Sequence, residues 1–171
     1  MKKMTSNTKR NSITFNFHGK RYKPWQIEFW TTLLIRFKTN DYYYHVSLTI
    51  NNTNHFEALC CEGVVNPTQL KTDPTYKIRF NVEDNNNFEK FITILENQVG
   101  KPYDWLAVLL GFFGIKISDK NKWYCNELAY IFYDVYFPSL KTRLKTNLSP
   151  KSFRLLTEGL KAGVQSNKVI K

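Results

Sequence analysis

Two hydrophobic periods coexist in this chain, and together they limit its fold. "SITFNF" (12–17) and "TYKIRFNV" (75–82) alternate apolar and polar residues, the period of a half-buried strand. "YYYHVSLTI" (42–50), aromatic and β-branched, is read as a third strand. "NNTN" supplies a turn, and "HFEALCCEGVV" (55–65) its hairpin partner, ended by Asn66-Pro67. Alternation places one of Cys60 and Cys61 inward and the other outward. "NNNFEKFITILENQVG" (85–100) repeats at helical spacing instead, with Phe88, Phe91, Ile92, Leu95 and Val99 inward and Gly100 as the stop. Helices are also expected over 25–38 after Pro24, over 125–137 before Pro138, and in a short last segment capped near Ser149. "PYDWLAVLLGFFG" (102–114) is apolar nearly throughout and is expected to be a buried helix. Strands flanked by helices on both sides give an α+β fold class.

At 171 residues the chain suits one domain, placed at 12–160, with a basic tail at 1–11 and a flexible basic tail at 161–171. The net charge of +11 sits at the ends: residues 1–23 carry seven Lys/Arg and no acid, and 141–171 carry eight Lys/Arg and one acid. Between them, ten basic residues face thirteen acidic ones. Such ends are ordinarily solvated, and they also suit weak contact with nucleic acid or an anionic surface. No apolar run reaches the roughly 18 residues of a membrane span, and the polar residues after "MKKMTSNTKRNS" leave no signal-peptide core. A cytoplasmic protein without a transmembrane segment is expected.

The three cysteines, two of them adjacent, form neither a disulfide framework nor a zinc motif. Cys125 stands apart because its segment starts a helix. A helix N-terminus lowers a thiol pKa through its dipole, and its free N–H groups can hold an oxyanion. A cysteine nucleophile needs a base. His18 falls in the basic "HGKRY" turn and His55 starts a strand. His45 alternates with Val46, Leu48 and Ile50, so it points away from their apolar face. An acid to orient its ring is available in Glu57 on the adjoining strand, in Glu62, or in Asp104. No phosphate loop, dinucleotide fingerprint or serine elbow is present.

"VGKPYDW" followed about twenty residues later by "WYCNELAY" resembles the GxPYD…YCSEL signature of YiiX-like proteins. These are the circularly permuted branch of the NlpC-type, papain-like cysteine hydrolases, small phage-encoded members included. "YYYHVSLTI" is similar to the family's histidine strand and "LSPKSF" to its closing segment. The likeness spans roughly residues 12–155. It implies a permuted papain-like fold, an antiparallel sheet packed against helices. It also implies Cys125 as nucleophile, His45 as base and Glu57 as orienting acid, with no cofactor. Asp104 and Glu127 would hold the surrounding backbone, and Tyr124 would pack beside the thiol or donate to it. Asn126 and Ser47 depart from the family's usual Ser and Gly. The implied reaction is attack on a peptide-like amide or a lipid ester or amide. A catalytically silent binding scaffold and a basic nucleic-acid-binding protein, using Tyr42, Tyr43 and Tyr44 for stacking, are the alternatives.

Overall fold

The computed structural model describes residues 10–19, 32–33, 35–37, 42–70, 73–113, 115, 119, 121–138 and 150–166. Five strands, β1 (Arg10–His18), β2 (His45–Ile50), β3 (Asn54–Leu59), β4 (Gly63–Val65) and β5 (Tyr76–Glu83), form one sheet ordered β4-β3-β2-β1-β5. Every pairing within it is antiparallel. Four helices follow: α1 (Asn86–Glu96), α2 (Trp105–Phe112), α3 (Cys125–Tyr136) and α4 (Pro150–Ser166). The fold class is α+β.

Alternation decides which strand residues meet the helices. Ile13, Phe15 and Phe17 of β1, Val46, Leu48 and Ile50 of β2, and Ile78, Phe80 and Val82 of β5 are all buried. Phe132 of α3 packs among Phe15, Phe80 and Phe91, with ring centroids 5.1, 5.1 and 6.0 Å away. Phe153 of α4 meets Phe15 and Tyr133 at 5.7 and 5.3 Å. Full burial of an aromatic or large aliphatic side chain is worth about 1.5–3 kcal/mol, so this layer carries the stability of the domain.

The other parity of the sheet is buried too, through polar pairing. Asn16 Nδ2 donates to Thr49 Oγ1 (2.7 Å), which contacts His55 Nδ1 (2.9 Å). His18 Nε2 meets Ser47 Oγ at 2.9 Å. Buried polar groups are tolerated when bonded to one another in this way. His18 therefore does not lie in an exposed turn. β1 runs on through it, and its side chain is 0% exposed. β1 also begins before residue 12: Asn11 is buried and accepts from Asn51 Nδ2 at 2.9 Å, so the last two residues of the expected basic tail belong to the sheet.

Other boundaries moved for local reasons. The 55–65 arm breaks into β3 and β4 because Cys60, Cys61 and Glu62 turn the chain, and Gly63 takes φ +76°. A Cβ on Gly63 would lie 2.2 Å from the Lys101 carbonyl, so only glycine fits. Cys60 and Cys61 are thus turn residues, half-buried and exposed, with their sulfurs 3.4 Å apart. α1, capped by Asn85 accepting from Asn87 and Phe88, ends at Glu96, and Val99 is exposed rather than inward. α4 continues to Ser166, into what the sequence marks as a flexible tail. Of the helix expected over 25–38, residues 32–33 and 35–37 are helical, and the remainder lies outside the described residues, as do 1–9 and 167–171. Among the described residues, no helix is long and apolar enough to cross a membrane.

The largest departure concerns α2. Leu106 and Leu109, with Phe113 and Ile115 just beyond the helix, are more than half exposed, while Ala107 is buried. Composition alone predicts burial for so apolar a segment, yet here it lies on the surface.

Candidate active site

Two short extended stretches set the site. Gly100 (φ +85°) turns the chain out of the α1 region, and Gly100 N and Lys101 O then bond to Val64 of β4, each at 2.8 Å. The next residues run beside the approach to α3. Tyr103 and Trp123 form a parallel bridge, with Trp123 N donating to Pro102 O and Asp104 N to Trp123 O, both at 3.1 Å. The two sequence motifs are therefore neighbours in space, and each ends where a helix begins.

Asp104 is 2% exposed and caps α2: its Oδ1 accepts from Ala107 N at 2.9 Å, and its Oδ2 accepts from Asp119 N at 3.4 Å. Tyr124 is the extended N-cap of α3 (φ −115°, ψ 168°), and Glu127 reaches back to accept from Tyr124 N at 3.4 Å. Both carboxylates thus hold helix starts. The Tyr124 hydroxyl is pushed well above its ordinary value by burial, then by the nearby charges of Glu127, Cys125 and Asp104.

Cys125 is the first residue of α3, where backbone N–H groups lack helical acceptors. It is 5% exposed, and its Sγ donates to Asn126 Oδ1 at 3.8 Å. His45, the first residue of β2, lies between this thiol and Glu57. Its Nε2 is 3.5 Å from Glu57 Oε2, the distance of an ion pair when the ring is protonated, and the ring feels the Cys125 thiol electrostatically. The strand register explains the Glu57 contact: continuing Leu48↔Phe56 sets Glu57 opposite Ser47, one diagonal step from His45. Glu57 itself is 1% exposed.

The imidazole is strongly biased toward its charged form. Burial pushes its pKa down, but the neighbouring Cys125 and Glu57 side chains outweigh that and raise it from 6.5 to about 9. His18 is its opposite. Burial, then the positive charges of His45 and Lys77, lower it from 6.5 to about 2. The two rings are register partners with centroids 5.0 Å apart. The sequence reading passed over His18. The signal was its parity with Ser12, Thr14 and Asn16, which continues the polar side of β1 one step past "SITFNF".

Of the remaining candidates, His55 is tied to Thr49, and Glu62 lies exposed in the turn before β4. Arginines lie over the stacking tyrosines, of which Tyr42 remains exposed. The Arg36 guanidinium lies over the Tyr42 and Tyr44 rings at 5.0 and 5.2 Å, and Arg154 lies over Tyr43 at 5.4 Å. No family model, no curated protein and no solved structure matches the chain.

Proposed function

We propose that the protein is a cysteine hydrolase or acyltransferase acting through Cys125, His45 and Glu57. The observation that carries this reading is the His45 ring held between a helix-start thiol and a buried carboxylate, Nε2 to Oε2 being 3.5 Å. The likeness of "GKPYDW" and "WYCNELAY" to the motifs of the permuted NlpC-type, papain-like hydrolases supports it.

His45 takes the thiol proton, and the sulfur attacks the carbonyl carbon of an amide or ester. Free N–H groups at the start of α3 stabilise the oxyanion. Collapse expels the amine or alcohol, which receives its proton from His45. Water, or another acyl acceptor, then attacks the thioester carbonyl and releases the thiol. Glu57 keeps the imidazole oriented and favours its cation. Every step uses side chains and water, with no cofactor. The three cysteines are free thiols, which suits a reducing, cytoplasmic setting.

The test is iodoacetamide labelling near neutral pH, read at Cys125 by mass spectrometry. The parent should label at least about tenfold faster than His45→Ala, as an imidazolium-activated thiol does. Equal rates would remove the base from the mechanism and favour a silent binding scaffold. A nucleic-acid-binding role has less support, since Arg36 and Arg154 already occupy the faces of the tyrosines it would use.

A further inference from the structure

α2 and the described residues just after it carry a cluster of exposed apolar side chains, and the helix starts beside the Tyr103–Trp123 bridge that leads into Cys125. Leu106, Leu109, Phe113 and Ile115 are 54, 52, 67 and 52% exposed, and Trp105 is 38% exposed. Among the described residues these are five of eleven exposed large apolar side chains, gathered within eleven consecutive positions. An exposed cluster of this kind marks an interaction surface, because isolated apolar residues scatter while patches carry a continuing solvation cost.

The patch is anchored, not frayed. Trp105 Nε1 donates to the Cys60 carbonyl at 2.7 Å, and Asp104 caps the helix. It also reaches the site. The Trp105 ring contacts Tyr103 at 5.3 Å between centroids, and Tyr103 is bridged to Trp123, two residues before Cys125.

Charge indicates what the patch meets. Between Trp105 and Ser118 the only charged residue is Lys116. Lys101, Lys120 and Lys122 flank that stretch in sequence. Against them stand Asp104, buried as a cap, and Asp119, paired with Lys122 at 3.7 Å, so residues 101–122 carry four lysines and two aspartates. The whole chain carries +11. An apolar cluster in a stretch whose lysines outnumber its aspartates is complementary to an anionic lipid surface, where side chains enter the acyl boundary and lysines meet headgroups. An acidic protein partner would satisfy the lysines but leave four half-exposed aliphatic and aromatic side chains without an apolar counterpart.

We infer that α2, with Phe113 and Ile115, docks the protein on an anionic lipid surface, presenting the Cys125 site to acyl esters or amides held there. The substrate half of this statement rests on the thiol-hydrolase reading; the docking half does not.

The experiment is co-flotation of the full chain with phosphatidylcholine vesicles, with and without phosphatidylglycerol. The parent should bind the phosphatidylglycerol vesicles at least about tenfold more strongly than pure phosphatidylcholine. Leu109→Glu and, separately, Phe113→Ser should each lower that binding several-fold, with circular dichroism and melting temperature confirming the fold. Undiminished binding by both variants would overturn the inference and assign the attraction to the basic ends. Absence of vesicle binding, or parent self-association that Leu109→Glu abolishes, would overturn it in favour of a contact with protein. Labelling of Cys125 in the parent uses no lipid, and flotation uses no chemistry, so failure of one reading is separable from failure of the other.

Discussion

α2 and α3 start side by side, from two strand-like stretches bridged at Tyr103 and Trp123, yet they end in opposite environments. α3 contains Asn126, Glu127 and Asp134 and is nevertheless the buried helix, with Leu128, Ile131, Phe132 and Val135 in the core. α2 contains only apolar residues and glycine, and most of its side chains with a described environment are exposed or half-buried. The difference shows that total hydrophobicity does not choose which helix is buried. α3 has one apolar face matched to the sheet, so a single orientation satisfies it. α2 has no preferred face, and its orientation is fixed from outside, by the Asp104 cap and the Trp105 bond to Cys60.

The comparison can be broken at its packed side first. Phe132→Ala should destabilise the fold by about 3–5 kcal/mol, whereas Leu109→Ala should stay within about 0.5 kcal/mol. Urea titration of both variants measures this, and comparable losses would show that α2 is part of the core.

The second contrast is electrical. α3 begins against the half-buried His45 ring, biased toward its charged form, while α2 begins at a half-exposed indole. With a folded pKa of about 9 against 6.5, protonated His45 contributes stability fully present below about pH 6.5 and lost as pH rises through about 9. The loss should be at most about 3 kcal/mol, and His45→Gln should flatten the profile. His18 has the reverse sign: its neutral ring contributes stability present above about pH 6.5 that fades as pH falls toward about 2. His18→Gln should therefore spare the alkaline arm and weaken the acidic one. A stability profile flat from pH 6 to about 9.5 in the parent would contradict the assigned environment of His45.

A loss smaller than those at Phe132 and His45 is expected at the cap of α2. Asp104→Ala should cost about 1–2 kcal/mol and Asp104→Asn distinctly less, because the amide oxygen can still accept from Ala107 N. Equal losses would show that the carboxylate charge, and not the cap, matters there.

Much of this was legible in the residues. Period-two alternation located β1 and β5, aromatic and β-branched composition located β2, helical spacing located α1, and the stop at Pro138 bounded α3. Cys125, His45 and Glu57 were named from helix position, strand parity and motif likeness, and in the structure His45 Nε2 lies 3.5 Å from Glu57 Oε2, with Cys125 opening α3. What escaped was whatever depends on partners remote in sequence. The break between β3 and β4 follows from Gly63 meeting the Lys101 carbonyl, which no local pattern encodes. His18 is hidden because its neighbour His45 comes from a different strand. The exposure of α2 was missed because apolar composition was read as burial, although the segment has no face by which to be buried.

The Tyr103–Trp123 bridge has a consequence for how such a chain can change. It joins the two ends of the stretch 104–122, so everything between them is a loop closed at its base. Closing a longer loop costs only about 0.6 kcal/mol for each doubling of its length. The segment that carries α2 can therefore be lengthened, shortened or replaced while Cys125 keeps its place opposite His45. The exposed segment and the residues around Cys125 are free to diverge at different speeds.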